Sequence, residues 1–377
     1  MAMMPAESVG QQVLFLRSLV LNQGEHIERE KARRRTPVVG YLCSYTPVEL
    51  LRAAGTWPVR LNPGPRSIGH ADAHIQSFAC SFARGVVEAL FDGSLDYLDG
   101  IVFPYTCDSL RAAAEIWQAE RPGLFFHFLN LPLRMDGRAA AAFLREEFEH
   151  LGRRLAEAFR DPAPALAGEL GRQRTMDGMY RALWARRGSS AYSAGDFLAL
   201  AWARESLPLE EATALVQRLL MEDGGASHGG RPVLVAGGAV EDPAVLDDLE
   251  RCGLRVVADD LCTGSRAFAY QATTCPDPWE ALVRKYLDRV HCPTKHPAEG
   301  RIEHLLRQVE ASGATAVIFL LQKYCESHAF DYPHLVDVLR QAGVPCMMVE
   351  IEQGSTFGGQ TATRVQAFLE TAGGEVV

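Results

Sequence analysis

Apolar positions recur along this chain in two alternating patterns, short continuous runs and longer stretches with helical spacing. Residues 7–35 carry Val13, Leu14, Leu16, Leu19 and Val20 as a helical stripe, followed by the charged run EREKARRR. This predicts one long N-terminal helix with a solvated basic end. VVGYLC (38–43) reads as a short buried strand. Thr46, Pro47 and Glu49 supply an N-cap, a first-position proline and an N3 carboxylate, so a helix is predicted from there to Gly55. TWPVRL (56–61) predicts a second strand, and FACSFARGVVEALFDG (78–93) a helix closed by glycine. In DGIVFPYTCDSLRAAAEIWQ, a strand at 101–103 gives way to a helix capped by Asp108, and GLFFHFLNLP (123–132) is a further strand. Residues 138–222 are helical throughout and read as an insertion or lid. The Gly-rich EDGGASHGG (222–230) reads as a linker. Beyond it, strands at 231–238, 254–261, 314–322 and 344–352 alternate with helices at 242–253, 301–313, 331–343 and 361–373. Strands alternating with amphipathic helices imply βαβ units and parallel sheets. The predicted architecture is a helical segment (1–36), a first α/β domain (37–225) carrying the helical insertion, and a second α/β domain (230–377).

Composition narrows the class. Apolar residues make up 47 % of the 377, charged residues 23 % and aromatic residues 8 %, as in ordinary globular chains. No apolar run approaches the ~18–20 residues of a membrane span. The start, MAMMPAESVGQQ, lacks a basic region followed by an apolar stretch, so a cytoplasmic protein is expected. A net charge of −9 argues against nucleic acid as a partner.

Nine cysteines, an odd number in a chain expected inside the cell, do not read as a disulfide framework. C-x-x-C and H-E-x-x-H are absent, and so is the phosphate-binding G-x-x-x-x-G-K-[ST]. Cys252 and Cys346 sit in Leu/Val/Met-rich surroundings and read as small buried hydrophobes. Ligands of open parallel sheets lie beyond the carboxyl ends of the strands. Cys43, Cys107 and Cys325 each follow a predicted strand, and Cys80 lies near the start of a helix. Cys107 precedes a helix start, where the dipole favours a thiolate. Asp259 and Asp260, in DDLCTGSR, read either as part of a site or as a solvated carboxylate pair. Lys323 and Arg266 are candidate phosphate partners. The spacing of the cysteines matches no local metal motif.

GYLCSYTPVELLRAAGTWPVRL (40–61), ADAHIQSFAC (71–80), LDGIVFPYTCDS (98–109), DDLCTGSR (259–266) and QKYCESHAFDYPHL (322–335), with GVPCMMVEIE (343–352) and TRVQAFLE (363–370), occur in an order and with a coverage that resemble the catalytic subunits of the 2-hydroxyacyl-CoA dehydratase and benzoyl-CoA reductase family. The resemblance implies two flavodoxin-like domains and a [4Fe–4S] cluster between them. By position in the motifs its ligands would be Cys80, Cys107 and Cys325, leaving one iron open. It also implies an acyl-CoA substrate, a related second subunit or a second copy of the chain, and a separate ATP-dependent iron–sulfur activator.

That substrate class explains why such a cluster would be needed. The proton lost from a 2-hydroxyacyl-CoA is β to the thioester and barely acidic. One electron added to the thioester carbonyl gives a ketyl radical anion that expels the α-hydroxyl and acidifies the β-proton. The open iron would act as a Lewis acid. On an aromatic thioester the same electron would begin ring reduction. Ser44, Glu326 and His328 flank the proposed ligands and are the candidate catalytic side chains. Two alternatives accompany the dehydratase reading: a benzoyl-CoA reductase subunit, and a reductase of small molecules with an [8Fe–9S] double-cubane cluster recruiting thiols among Cys43, Cys262, Cys275 and Cys292.

Overall fold

The computed structural model describes residues 9–64, 67–221, 229–270, 275–352, 354 and 357–371. Its strands are β1 (Val38–Tyr41), β2 (Trp57–Arg60), β3 (Gly100–Pro104), β4 (Phe125–Leu129), β5 (Arg231–Gly237), β6 (Leu254–Leu261), β7 (Ala316–Gln322) and β8 (Cys346–Ile351). They form two parallel four-stranded sheets, ordered β2-β1-β3-β4 and β6-β5-β7-β8. In each sheet the chain moves outward from its first strand, then crosses back to that strand's other side. Both sheets therefore have the flavodoxin-like order that was expected, with switch points between β1 and β3 and between β5 and β7. Burial on both faces accounts for the nearly unbroken apolar runs, as in β7, where all seven residues AVIFLLQ are buried.

The helices are α1 (Val9–Leu21), α2 (Gln23–Arg34), α3 (Val48–Ala53), α4 (Ser81–Phe91), α5 (Asp108–Glu120), α6 (Gly137–Ala158), α7 (Leu166–Trp184), α8 (Ala194–Ser206), α9 (Leu209–Met221), α10 (Ala244–Arg251), α11 (Pro278–Leu287), α12 (Glu299–Ser312), α13 (Glu326–Gln341) and α14 (Gly359–Thr371). None of those described is long and apolar enough to cross a membrane. On the first sheet, Val38, Val59, Ile101 and Phe103 pack against α4 and α5. Val39, Val102 and Leu129 on the opposite face meet α3, α6 and α11. On the second sheet, Val233, Val235 and Ile318 meet α1, α8 and α10, while Leu234, Ala236 and Phe319 meet α12 and α13.

Several expectations change. The N-terminal helix breaks at Asn22 (φ −122°, ψ 41°). The next residue, Gln23, is buried and donates to the Arg60 carbonyl (2.8 Å) and Ser206 Oγ (2.7 Å), so its amide anchors the bend inside the core. The N-cap of α3 is Pro47, one residue later than read, and Thr46 Oγ1 is buried without a partner. Glu49 is drawn instead to Lys285 and to the Tyr286 hydroxyl. The helical stretch 138–222 packs into both halves: α6 covers the first sheet, and α7–α9 complete the core under the second. In return α11, which follows β6 in the chain, packs on the first domain through Ala281, Leu282, Val283 and Tyr286. The two halves therefore exchange helices. The linker read at 222–230 lies, apart from residues 229–230, outside the described residues.

Candidate functional site

Three thiols occupy equivalent places in the fold. Cys80, Cys107 and Cys325 are the N-cap residues of α4, α5 and α13. Cys107 follows β3 and Cys325 follows β7, each at a switch point, so the two sheets deliver them from opposite halves. The turn into Cys325 passes through Tyr324 at φ 65°, a left-handed conformation uncommon outside glycine. This turn lets α13 start at Glu326, more than a turn before the Asp331-Tyr332-Pro333 start read from the sequence, with Pro333 inside the helix. Ser81 Oγ donates to Gln322 Oε1 (2.6 Å), and Gln322 Nε2 donates to the Ala239 carbonyl (3.1 Å), tying α4 to the ends of β7 and β5 beside the thiols.

Burial pushes the Cys80 thiol up to about 12 and those of Cys107 and Cys325 up to about 11. First-turn amides of Ala83, Leu110 and His328 offset part of this. The expectation that a helix start favours the Cys107 thiolate is therefore overridden by desolvation in the chain alone. The three sulfurs are near enough to act on one another: Cys80 feels Cys325 and Cys107, and Cys107 feels Cys325. Among the described residues no three His, Cys, Asp or Glu side chains converge as ligands of a single ion. A cubane sets a different requirement, because its irons are separate corners and its thiolates approach from diverging directions. Soft sulfur donors with helix amides behind them suit an anionic iron–sulfur group.

A second group of thiols adjoins the first. Cys43 feels Cys292 and Cys262, and burial pushes it up to about 11. Cys325 feels Cys292 and Cys262, and Cys107 feels Cys292. Cys275, like Cys43 and Cys292, packs against the core of the first sheet, while Cys252 and Cys346 beside the second sheet are half-buried and not the fully buried hydrophobes that their surroundings suggested.

The candidate catalytic side chains separate. Ser44, just past β1, lines a small cavity with Arg204, Arg266, Lys285 and Arg289. Its Oγ accepts from Arg289 Nη2 at 3.0 Å, and its carbonyl accepts from Arg289 Nη1. Glu326 is exposed in the first turn of α13. His328 is turned toward the second domain, with Nδ1 3.3 Å from the Cys325 sulfur and Nε2 buried without a partner. Burial, with Arg266 and Arg301 nearby, holds its imidazole down at about 3.

Other functional groups escaped the sequence reading. Arg289 reaches only carbonyls and the Ser44 hydroxyl, and its guanidinium lies 4.6 Å over the Tyr45 ring. Lys295 is buried, with Nζ 3.4 Å from the Tyr105 and Leu131 carbonyls and close enough to Cys43 and Cys292 to feel both. Arg60 is fully buried, donating to Glu205 (2.7 Å) and the Cys262 carbonyl (2.9 Å), with its Nη2 3.6 Å from the Cys262 sulfur. The only signal for these was the basic residues within RVHCPTKH and TWPVRL, a pattern indistinguishable from surface charge. Asp259 and Asp260 are not solvated: Asp259 pairs with Arg187 and accepts from Trp184 Nε1 (2.7 Å), and Asp260 pairs with Arg266 (2.8 Å). Arg266 is thereby committed inside the protein, and Lys323 pairs with Glu352 at the surface (3.0 Å).

A family model described as 2-hydroxyglutaryl-CoA dehydratase, D-component, matches residues 43–372. The chain belongs to this family. Among its relatives, lactoyl-CoA dehydratase subunit beta of Anaerotignum propionicum is 25 % identical, across 94 % of this chain and 97 % of that protein. (R)-2-hydroxyglutaryl-CoA dehydratase subunit beta of Acidaminococcus fermentans is 26 % identical, across 88 % and 92 %. A benzoyl-CoA reductase subunit of Thauera aromatica is 25 % identical, across 84 % and 86 %. The relatives thus include dehydratase subunits and a benzoyl-CoA reductase subunit, and the thiols lie within the matched segment.

Proposed function

We propose that this chain is the iron–sulfur subunit of a radical 2-hydroxyacyl-CoA dehydratase, which eliminates water from a 2-hydroxyacyl-CoA to give the enoyl-CoA by way of a one-electron-reduced ketyl. The observation that carries the reading is the trio of helix-capping thiols, Cys107 and Cys325 at the switch points of the two sheets and Cys80 at the start of α4, in a chain of this family. Cys80, Cys107 and Cys325 would hold a [4Fe–4S] cluster, which when bound supplies a low-potential electron and a Lewis-acidic iron. The chain's own side chains set the surroundings. Arg289 fixes the Ser44 hydroxyl next to Cys43, while Arg204, Arg266 and Lys285 around that cavity are matched by Asp177, Asp260 and Glu49. Burial of the thiols keeps water from the reduced centre.

The electron is to come from a separate ATP-dependent iron–sulfur activator. The chain is to work beside a related second subunit or a second copy. Phe78, Tyr324 and Phe330 support this: they are large, exposed (68 %, 49 % and 84 %) and close in sequence to Cys80 and Cys325. The relatives are themselves named as subunits. A second reading, a double-cubane reductase, is favoured by the adjacent Cys43, Cys262 and Cys292. Kinship to a benzoyl-CoA reductase subunit favours ring reduction as a third.

Iron and sulfide counting on anaerobically purified protein distinguishes these clusters: about four irons per chain supports the first reading and about eight the double cubane. Cys107→Ala is expected to abolish the visible iron–sulfur absorption. Full iron content in that variant would refute the ligand assignment. Turnover of a 2-hydroxyacyl-CoA with activator and ATP, set against an aromatic thioester, decides between elimination and ring reduction.

A further inference from the structure

The imidazole of His328 is held from three sides. Its Nδ1 lies 3.3 Å from the Cys325 sulfur. Opposite, the loop after β5 passes so close that a Cβ on Gly238 would meet the ring's Cε1 at 3.1 Å, so only glycine leaves the ring its full room. The third side borders a cavity of about 20 Å³ between the second sheet and α12–α13, lined also by Asp260, Arg266, Arg301 and Asp331. Nε2 is buried and takes no partner from the chain. Nδ1 faces the Cys325 sulfur, which as a cluster ligand accepts hydrogen bonds and has no proton to donate, so the tautomer that fits this contact carries its proton on Nδ1.

We infer that His328 is a positioning residue whose Nδ1–H donates a hydrogen bond to the Cys325 sulfur when that sulfur ligates the cluster, thereby raising the cluster's electron affinity. The inference rests on the cluster reading above and extends it. A reduced cluster carries more negative charge on its sulfurs, so an N–H···S bond strengthens on reduction and favours the reduced state.

The test uses the anaerobically purified chain, in wild-type form and as His328→Leu, His328→Gln and His328→Asn, with iron counting and a redox titration followed by electron paramagnetic resonance. Leu removes the donor. Gln places its amide where Nε2 was, and serves as the second donor-free variant should Leu fail to fold. Asn returns an N–H to the Nδ1 place. All four proteins are expected to hold the same iron. Leu and Gln should show a lower midpoint, with the ratio of reduced to oxidised cluster at the wild-type midpoint about tenfold lower, which is a shift of about 59 mV for a one-electron couple. Asn should restore the wild-type value. Full iron with an unchanged midpoint in Leu and Gln would overturn the assignment of His328 alone, as would an Asn midpoint as low as theirs. Absence of iron from the wild-type protein would overturn the cluster reading, and this inference with it.

Discussion

Replacing Lys285 by methionine strands one buried carboxylate. Glu49 in α3 is fully buried and accepts from Lys285 Nζ and, at 3.1 Å, from the Tyr286 hydroxyl, both on α11. Burial alone would push this carboxyl up, yet Lys285 and Arg52 bring it below its ordinary range. Methionine keeps most of the lysine stem and removes only the charge. Lys285 also lies 3.5 Å from Asp177, but Arg204 already holds that carboxylate, so the cost falls mainly on Glu49. Breaking a buried pair from one side costs about 3–5 kcal/mol, against about 0–1 kcal/mol for an exposed pair. In the double variant Glu49→Gln/Lys285→Met no charge is stranded, and the loss should fall to about 1–2 kcal/mol. Urea unfolding at pH 7 reads both values. The pH dependence has a definite sign. In the wild type, Glu49 contributes stability above its unfolded value of 4.5, which is lost as pH falls through the lower folded value. In Lys285→Met the buried carboxyl titrates above 4.5, so the gap between the two proteins should narrow as pH falls from 7 toward 4.5. A single variant costing less than about 1 kcal/mol, or a double variant as unstable as the single, would refute the reasoning and the docking of α11 on the first domain with it.

Glu241, in the loop after β5, is buried, and burial, with the neighbouring Asp242 charge adding to it, pushes its carboxyl up from 4.5 to about 8. The folded chain keeps a proton that the unfolded chain releases, so stability is full below 4.5 and declines until about pH 8. Glu241→Gln should therefore be the more stable protein at pH 8, by up to about 5 kcal/mol in urea unfolding, and equal at pH 4; parallel pH profiles would count against it. At Gly237 (φ +151°) a Cβ would lie 2.1 Å from the Leu320 carbonyl oxygen, a backbone atom of β7 that cannot step aside. Gly237→Ala should cost more than about 2 kcal/mol, and an unchanged urea midpoint would show that the strands separate more easily than their packing implies.

How legible this was in the sequence depended on the range of the interaction. Both sheets were readable because a strand covered on two faces must be apolar throughout, as AVIFLLQ in β7 shows. The thiols after β3 and β7 followed from strand ends alone. The cap of α3 was misplaced because Thr46-Pro47-Val48-Glu49 is a sound local signal, yet Glu49 gains more from Lys285, over two hundred residues away, than from its own helix start. The start of α13 was misplaced for a similar reason: Pro333 looks like a first-turn residue, and only the left-handed turn at Tyr324 sets Cys325 as the cap. Asp259 and Asp260 could not be told apart as site residues or a solvated pair because their arginine partners come from other elements or other turns. His328 was singled out for its neighbour Cys325, but which way its ring turns depends on Gly238, in a different βα unit.

The exchange of α11 between the halves carries a consequence for how the chain is made. The patch of the first sheet that Leu282 and Tyr286 cover receives its lid only after β5 and β6 have emerged from the ribosome. Until then an oily surface beside Phe148 and Leu151 stands open to water, inviting chaperones or neighbouring nascent chains. Severing the polypeptide between the sheets would consequently yield two fragments that rescue one another when mixed, rather than a self-sufficient amino-terminal module.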